Sequence, residues 1–139
     1  IRDRPGNNFV TLRETAEEKA ELIEGFLRAW SKGMHVAKVD PEVVAKIAQT
    51  AVPEEWEDPV FGQQYLDNAV RLNVSVTDLA GDLQTETWSS IQPGMMKFGL
   101  IEEQADPAVF LNPRFTEPAN DWSREEVEAD VAAWREANM

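Results

Sequence analysis

The clearest pattern in the chain is a run of apolar residues at three- and four-residue steps. Thr15 followed by Glu18 has the form of a capping box, which starts a helix. The apolar positions that follow recur with the period of an α-helix and would share one face; they are Ala16, Ala20, Ile23, Leu27, Trp30, Met34 and Ala37. Leu22 and Phe26 widen this apolar face. The sequence therefore predicts a long amphipathic helix over about residues 15–38, preceded by a short strand at 9–12.

Two aspartate–proline steps predict the next two helices. In each step the aspartate can act as N-cap and the proline suits the first helical position, as at Asp40-Pro41 and Asp58-Pro59. Pro53 ends the first of these helices, and so short a link favours a helical hairpin. The residues predicted to face inward are Val43, Val44, Ile47, Ala48 and Ala51 in the first helix, and Phe61, Tyr65, Leu66, Ala69 and Leu72 in the second.

The second half of the chain continues the helical pattern with more breaks. Thr77 or Asp78 is predicted to cap a fourth helix holding Leu79, Leu83, Trp88 and Ile91, which Pro93-Gly94 then interrupts. Gly99 fits a left-handed C-cap. The proline-rich residues 105–122 indicate an ordered loop, and the capping box from Ser123 to Glu126 predicts a terminal helix. The predicted fold class is mainly α, with about six helices and one or two short strands.

Composition narrows the class of protein without naming a function. The 139 residues are 42% hydrophobic and 28% charged, which is typical of a globular chain of single-domain size. A net charge of −13 argues against nucleic-acid binding, because phosphates need clustered Lys and Arg. The chain has no cysteine and therefore no disulfide or thiolate nucleophile. No run approaches the ~20 apolar residues of a membrane span, and a start at Ile1 predicts a piece of a longer precursor.

The candidates for chemistry are few. His35 is the single histidine, and on the polar face of its helix it is interpreted as a surface residue rather than a base or ligand. Acidic pairs such as Glu54-Glu55 and Glu125-Glu126 are explained by helix N-termini and solvation. The sequence therefore predicts no catalytic residue, no metal site and no cofactor, and the chain is expected not to be an enzyme.

Five tryptophans are many for this length. Trp30, Trp88 and Trp134 fall on apolar stripes, where core packing is the default interpretation. Trp56 and Trp122 lie in acidic loops and could stack on a ligand or cover a neighbouring domain, and the sequence leaves both open.

A resemblance to a known family rests on three blocks of residues. Residues 10–15 with 18–30 are similar to a stretch of ABC-transporter solute-binding proteins of the nitrate, sulfonate, taurine and thiamine-pyrimidine-precursor group. Residues 39–45 continue the resemblance, and Trp88 with residues 95–101 resembles a late helix ending in Gly-Leu-Ile. The similar region is 9–115; residues 116–139 add a loop and a terminal helix that do not match, and Pro93-Gly94 breaks a helix that usually runs on.

The resemblance implies that residues 1–139 are a single domain or a C-terminal fragment of a two-lobe α/β periplasmic-binding fold. It implies a small-molecule solute bound together with a missing N-terminal lobe, an ABC permease as partner, and a periplasmic or membrane-anchored extracytoplasmic location. Trp88 is the candidate wall residue of the binding cleft. The alternatives are a self-contained all-α interaction module, which would be cytoplasmic, and a fragment of a thiamine-pyrimidine biosynthesis protein. The isolated chain is expected to self-associate or to expose a large apolar patch.

Overall fold

The computed structural model describes residues 6–73, 75 and 77–139, and this part of the chain is mainly helical. It contains seven α-helices: α1 Arg13–Glu18, α2 Ala20–Val39, α3 Pro41–Ala51, α4 Pro59–Asn73, α5 Thr85–Lys97, α6 Thr116–Asn120 and α7 Arg124–Asn138. Three short 3₁₀ turns lie at Pro53–Trp56, Pro107–Val109 and Pro113–Phe115. The long helix α2 is the centre of the assembly, since α1, α3, α4, α6 and α7 all pack against it.

The mainly α prediction is confirmed, but the predicted short strands are absent from the described residues. Residues 9–12 form exposed coil without a neighbouring strand to pair with. Phe9 still anchors this segment, because its ring packs edge-to-face on Phe26 at 5.0 Å and on Trp30 at 5.3 Å between ring centroids. The strand-like composition therefore reflects an apolar segment lying on a helix, and an α/β origin of the fold has no support in the described chain.

The first predicted helix is two helices. Helix α1 begins at Arg13 after Leu12, so Thr15 lies inside the helix and is not its N-cap. The chain breaks at Lys19, where φ is −122° and ψ is 35°. In a continuous helix the carbonyl of Ala16 would accept from the amide of residue 20; here the guanidinium of Arg114 donates to that carbonyl. The carbonyl of Ala16 therefore has a hydrogen-bond partner in spite of the break.

Aspartate capping was predicted correctly. The carboxylate of Asp40 accepts from the amide of Val43 at the start of α3, and Asp58 accepts from Val60 and Phe61 at the start of α4. Helix α3 ends before Pro53, as its sequence predicts. The inward faces were predicted less well: Val43 is buried, whereas Ile47 and Ala51 of α3 and Phe61, Tyr65 and Leu72 of α4 are exposed.

The fourth predicted helix starts later and runs further than expected. Residues 77–84 form turns, so neither Thr77 nor Asp78 caps a helix, and α5 begins at Thr85. Pro93 lies inside α5, and the prediction that it interrupts the helix is wrong. Because proline has no backbone N–H, the carbonyl of Ser89 loses its helical hydrogen-bond donor at Pro93. Both residues are exposed, so a water molecule can donate to that carbonyl instead. The end of α5 is as predicted: Gly99 has φ +67°, and the amide of Leu100 donates to the carbonyl of Met95.

Residues 105–122 are more regular than the predicted loop, since they hold two 3₁₀ turns and the short helix α6. Asp106 and Asn112 cap the turns, each followed by proline. The terminal helix α7 begins as predicted, with the Ser123 hydroxyl accepting from the amide of Glu126 at 3.1 Å. Among the described residues, none of the helices combines the length and apolar character that crossing a bilayer needs.

Candidate functional site

A polar junction joins α2 to the C-terminal part of the chain. Its centre is Ser31, which is 1% exposed although it is a polar residue in the middle of a long helix. The indole nitrogen of Trp122 donates to the Ser31 hydroxyl at 3.1 Å and to the carbonyl of Ala119 at 3.2 Å. The Ser31 hydroxyl in turn lies 3.5 Å from the side-chain oxygen of Asn120. Every buried side-chain polar atom of the described chain has a hydrogen-bond partner.

Asn120 extends this junction to the turn before α5. Its side-chain oxygen accepts from the amide of Ala80 at 2.9 Å, and its side-chain nitrogen donates to the carbonyl of Ala80 at 3.0 Å. The same nitrogen donates to the carbonyl of Thr116 at 2.7 Å within α6. One half-buried amide side chain thus pairs both backbone groups of a residue 40 positions away and satisfies its own donors and acceptor.

His35 lies one turn beyond Ser31 and was interpreted as a surface histidine. Its ring is 15% exposed, packs against the Trp122 ring at 5.3 Å, and places Nε2 2.8 Å from the carboxylate of Glu128 on α7. The partner is 93 residues away, so no local spacing could have indicated it. Among the described contacts Ser31 bonds Trp122 and Asn120, not His35, so the pair does not form the nucleophile–base contact that serine catalysis needs.

A cluster of three charged side chains joins α7 to the start of α3. The guanidinium of Arg135 makes two hydrogen bonds to Asp40, at 2.9 and 3.0 Å, and a further one to Glu42. These contacts raise the pKa of Arg135, first through the hydrogen bond to Glu42 and then through Asp40. Asp40 therefore caps α3 and holds α7 at the same time.

Trp88 lies beside an open apolar groove. The groove has a volume of about 460 Å³, and Trp88, Ile91, Met95 and Phe98 of the α5 region form its apolar lining, with Gly6 and Asn8 opposite. The Trp88 ring is half-buried and meets Phe110 edge-to-face at 5.6 Å. This places the sequence candidate on a surface that could cover part of a ligand, but the polar groups that would orient a solute there are limited to Asn8.

The two tryptophans left open by the sequence pack internally. Trp122 belongs to the polar junction, and Trp56 lies against α4 so closely that a Cβ atom on Gly62 would come within 2.7 Å of its ring. The acidic pairs likewise do not converge, since no group of three or more His, Cys, Asp or Glu residues capable of holding a metal occurs in the described chain.

The most extensive feature is uncovered apolar surface. Of the described residues, nineteen large hydrophobic side chains are exposed, among them Leu22 and Phe26 on α2, Phe61 and Tyr65 on α4, and Phe98 after α5. Helix α2 thus has apolar residues on two sides: Leu27 is half-buried, whereas Leu22 and Phe26 are exposed, although Phe26 also contacts Phe9. Surfaces of this kind mark sites where another protein body packs.

No protein-family model, no curated protein and no solved structure matches this chain. The polar junction, the Trp88 groove and the uncovered apolar surface are therefore interpreted on their own geometry.

Proposed function

We propose that this chain is the C-terminal segment of a solute-binding protein for ABC-type uptake of a small molecule. It would act by packing against a second body and by lobe closure, without bond chemistry. The resemblance of residues 9–115 supplies the family, and the uncovered apolar surface supports the need for a further body of protein. The partners in this proposal are the solute and an ABC permease, in the periplasm or on the outer side of a membrane.

The observation that carries the proposal is the size of the accessible surface. A compact folded monomer of 15.7 kDa exposes about 7300 Å², whereas this chain exposes 10391 Å². Part of the excess of about 3000 Å² comes from the exposed coil at 6–12, and the remainder is on the scale of one side of a large obligate interface. A chain with this much surplus surface is better explained as one part of a larger packed body than as a finished globule.

The composition of the core supports the same interpretation. Among the residues that the structure describes, seven hydrophobic ones are buried, and only three of them, Val43, Phe115 and Val127, are larger than alanine. Hydrophobic stabilisation scales with the apolar area removed from water. The nineteen exposed large apolar side chains of the described residues would therefore stabilise the chain further only when another surface covers them.

A self-contained all-α interaction module is the second candidate. The mainly helical character of the described residues favours it, together with the polar junction that holds the α6–α7 region on α2. The two candidates differ in what the chain does alone, since a module would be a stable monomer and a segment would not.

Ligand binding separates the segment from the complete protein. We expect the isolated chain to bind nitrate, taurine, alkanesulfonates and hydroxymethylpyrimidine no more tightly than about 1 mM, because half a cleft leaves a ligand largely hydrated. The chain joined to its upstream coding sequence is expected to bind one of them at about 1 μM. Calorimetry on both forms measures this, with Trp88→Ala in the longer form as the test of the candidate wall residue. Micromolar binding by the isolated chain would place the site within it, and no binding by the longer form would remove the transport proposal.

Self-association is the second expected result. The isolated chain should form oligomers in light scattering at high ionic strength, where salt screens the repulsion between chains of charge −13. The double variant L22S/F26S should lower the apparent mass, because both side chains are exposed and the only ring contact it removes is the one between Phe26 and Phe9, among the described aromatic contacts. A strictly monomeric species that melts cooperatively would instead support the self-contained module.

A further inference from the structure

The outer face of α4 is apolar and uncovered. Phe61, Tyr65 and Leu72 lie at positions that share one side of the helix, and they are 54, 61 and 60% exposed. The rings of Phe61 and Tyr65 stack on each other, with centroids 6.3 Å apart and planes 27° from parallel. From Phe61 to Leu72 the helix rises about 16 Å. The exposed Asn68 lies on the same side between Tyr65 and Leu72, so the face is a ridge of about three turns that one polar residue interrupts.

The buried flank of α4 beside the ridge fixes its direction. Gly62 is buried and lies in close contact with Trp56 of the Pro53–Trp56 turn. Any larger residue at position 62 would meet the indole ring. The helix therefore cannot rotate to bury Phe61 and Tyr65 without losing this packing, and the ridge stays outward.

Carboxylates are concentrated in the sequence that leads into α4. Residues 47–70 contain five acidic side chains and no Lys or Arg; they are Glu54, Glu55, Glu57, Asp58 and Asp67. Asp58 caps α4, and Asp67 accepts from Gln63. The three glutamates are exposed, and none of the ion pairs between described residues involves them.

Local structure explains only part of this charge. A carboxylate near a helix N-terminus is favourable, and Asp58 already provides the cap. Glu54, Glu55 and Glu57 add three further like charges within a few residues, which repel one another when no cation is close. An apolar ridge that ends in surplus negative charge is complementary to a surface with apolar residues and Lys or Arg beside them.

We propose that the outer face of α4 is a docking surface for a basic amphipathic helix of another protein. The apolar face of that helix covers Phe61, Tyr65 and Leu72, and its Lys or Arg residues lie over Glu54, Glu55 and Glu57. A second copy of this chain fits less well, since it brings the same carboxylates and a net charge of −13. The proposal does not depend on solute transport, because it uses neither the Trp88 groove nor the outer face of α2.

The test is a titration of the 139-residue chain with a synthetic helical peptide of about four turns, bearing leucines on one face and lysines beside them. We expect saturable binding, and no comparable binding of the peptide in which glutamate replaces every lysine. The variant F61S/Y65S should weaken binding roughly tenfold. Its net charge is unchanged, so general attraction to an acidic protein cannot account for that loss.

Matched charge variants test the carboxylates. E54Q/E55Q/E57Q should weaken binding roughly fivefold, whereas E14Q/E17Q/E18Q, which removes three exposed charges from α1, should change it by less than about twofold. Equal effects of the two triple variants, or unchanged affinity of F61S/Y65S, would overturn the proposal. So would a dimer of the chain that F61S/Y65S abolishes, or tighter binding to zwitterionic lipid vesicles than to the peptide.

Discussion

Replacing Gly62 with alanine is expected to destabilise the protein by about 1–3 kcal/mol, the usual cost of overpacking a close contact. A Cβ atom at this position would lie 2.7 Å from two atoms of the Trp56 ring and 3.0 Å from the carbonyl oxygen of Glu55. The ring is held between α4 and the Pro53–Trp56 turn and the carbonyl belongs to the backbone, so relief of the clash requires the turn to move. Denaturant unfolding with tryptophan fluorescence measures the free energy and reports the displacement of Trp56.

Gly25 is the matched control, since it also lies inside a helix but a Cβ atom there would meet no neighbouring group within 4 Å. Gly25→Ala should stabilise the protein by about 0.5–1 kcal/mol, because alanine has the higher helix propensity. Opposite signs at the two positions would establish the packing of Trp56 on α4. A stabilising effect of Gly62→Ala would contradict it, and would also weaken the argument that the α4 ridge is fixed outward.

Replacing Asn120 with alanine is expected to cost about 2–3 kcal/mol. The substitution leaves the amide and carbonyl of Ala80 without their partners and removes the bond to the carbonyl of Thr116. Leaving a buried polar group unpaired costs about 1–3 kcal/mol, more than an average hydrogen bond contributes. Chemical denaturation measures the loss, and proteolysis near residues 78–84 should become faster because that turn is no longer held to α6.

Asn138 offers the control for this substitution. It also donates from its side chain to a backbone carbonyl one turn earlier, at 2.7 Å, but it is exposed near the end of α7. Asn138→Ala should change stability by less than about 0.5 kcal/mol. If Asn120→Ala were equally mild, the polar junction would be a surface network that water replaces, and its role in holding the C-terminal part on α2 would be wrong.

Local signals in the sequence predicted local structure. Asp40, Asp58 and Ser123 each cap the helix that their sequence context indicates, and Gly99 ends α5 in the predicted conformation. These features depend on residues within four positions of each other, so the relevant physical chemistry is visible in a short window. The main helical stretches followed from the same kind of information.

Features that depend on distant residues were not predictable. Arg114 donates to the carbonyl of Ala16 at the break after α1, although the two residues are 98 positions apart, and Glu128 pairs with His35 from 93 positions away. Periodicity also could not say which apolar face would be covered: α4 carries the predicted stripe, yet Phe61 and Tyr65 point outward because Gly62 faces Trp56. The same limit applies to the candidate site. Trp88 was proposed as a wall residue from the family resemblance and stays a prediction, and the polar junction between Ser31, Asn120 and Trp122 was missed.

The residues that contact α2 from the C-terminal part of the chain are far from it in sequence, and this has a consequence for synthesis on the ribosome. Trp122 reaches Ser31 across 91 residues, and Arg28 donates to the carbonyl of Pro118 across 90. At about 5–20 residues per second, a ribosome needs roughly 5–20 s to make the intervening chain. During that interval α1, α3 and α4 can already pack on α2, but the part of α2 that contacts α6 and α7 has no partner and stays exposed until those helices are made.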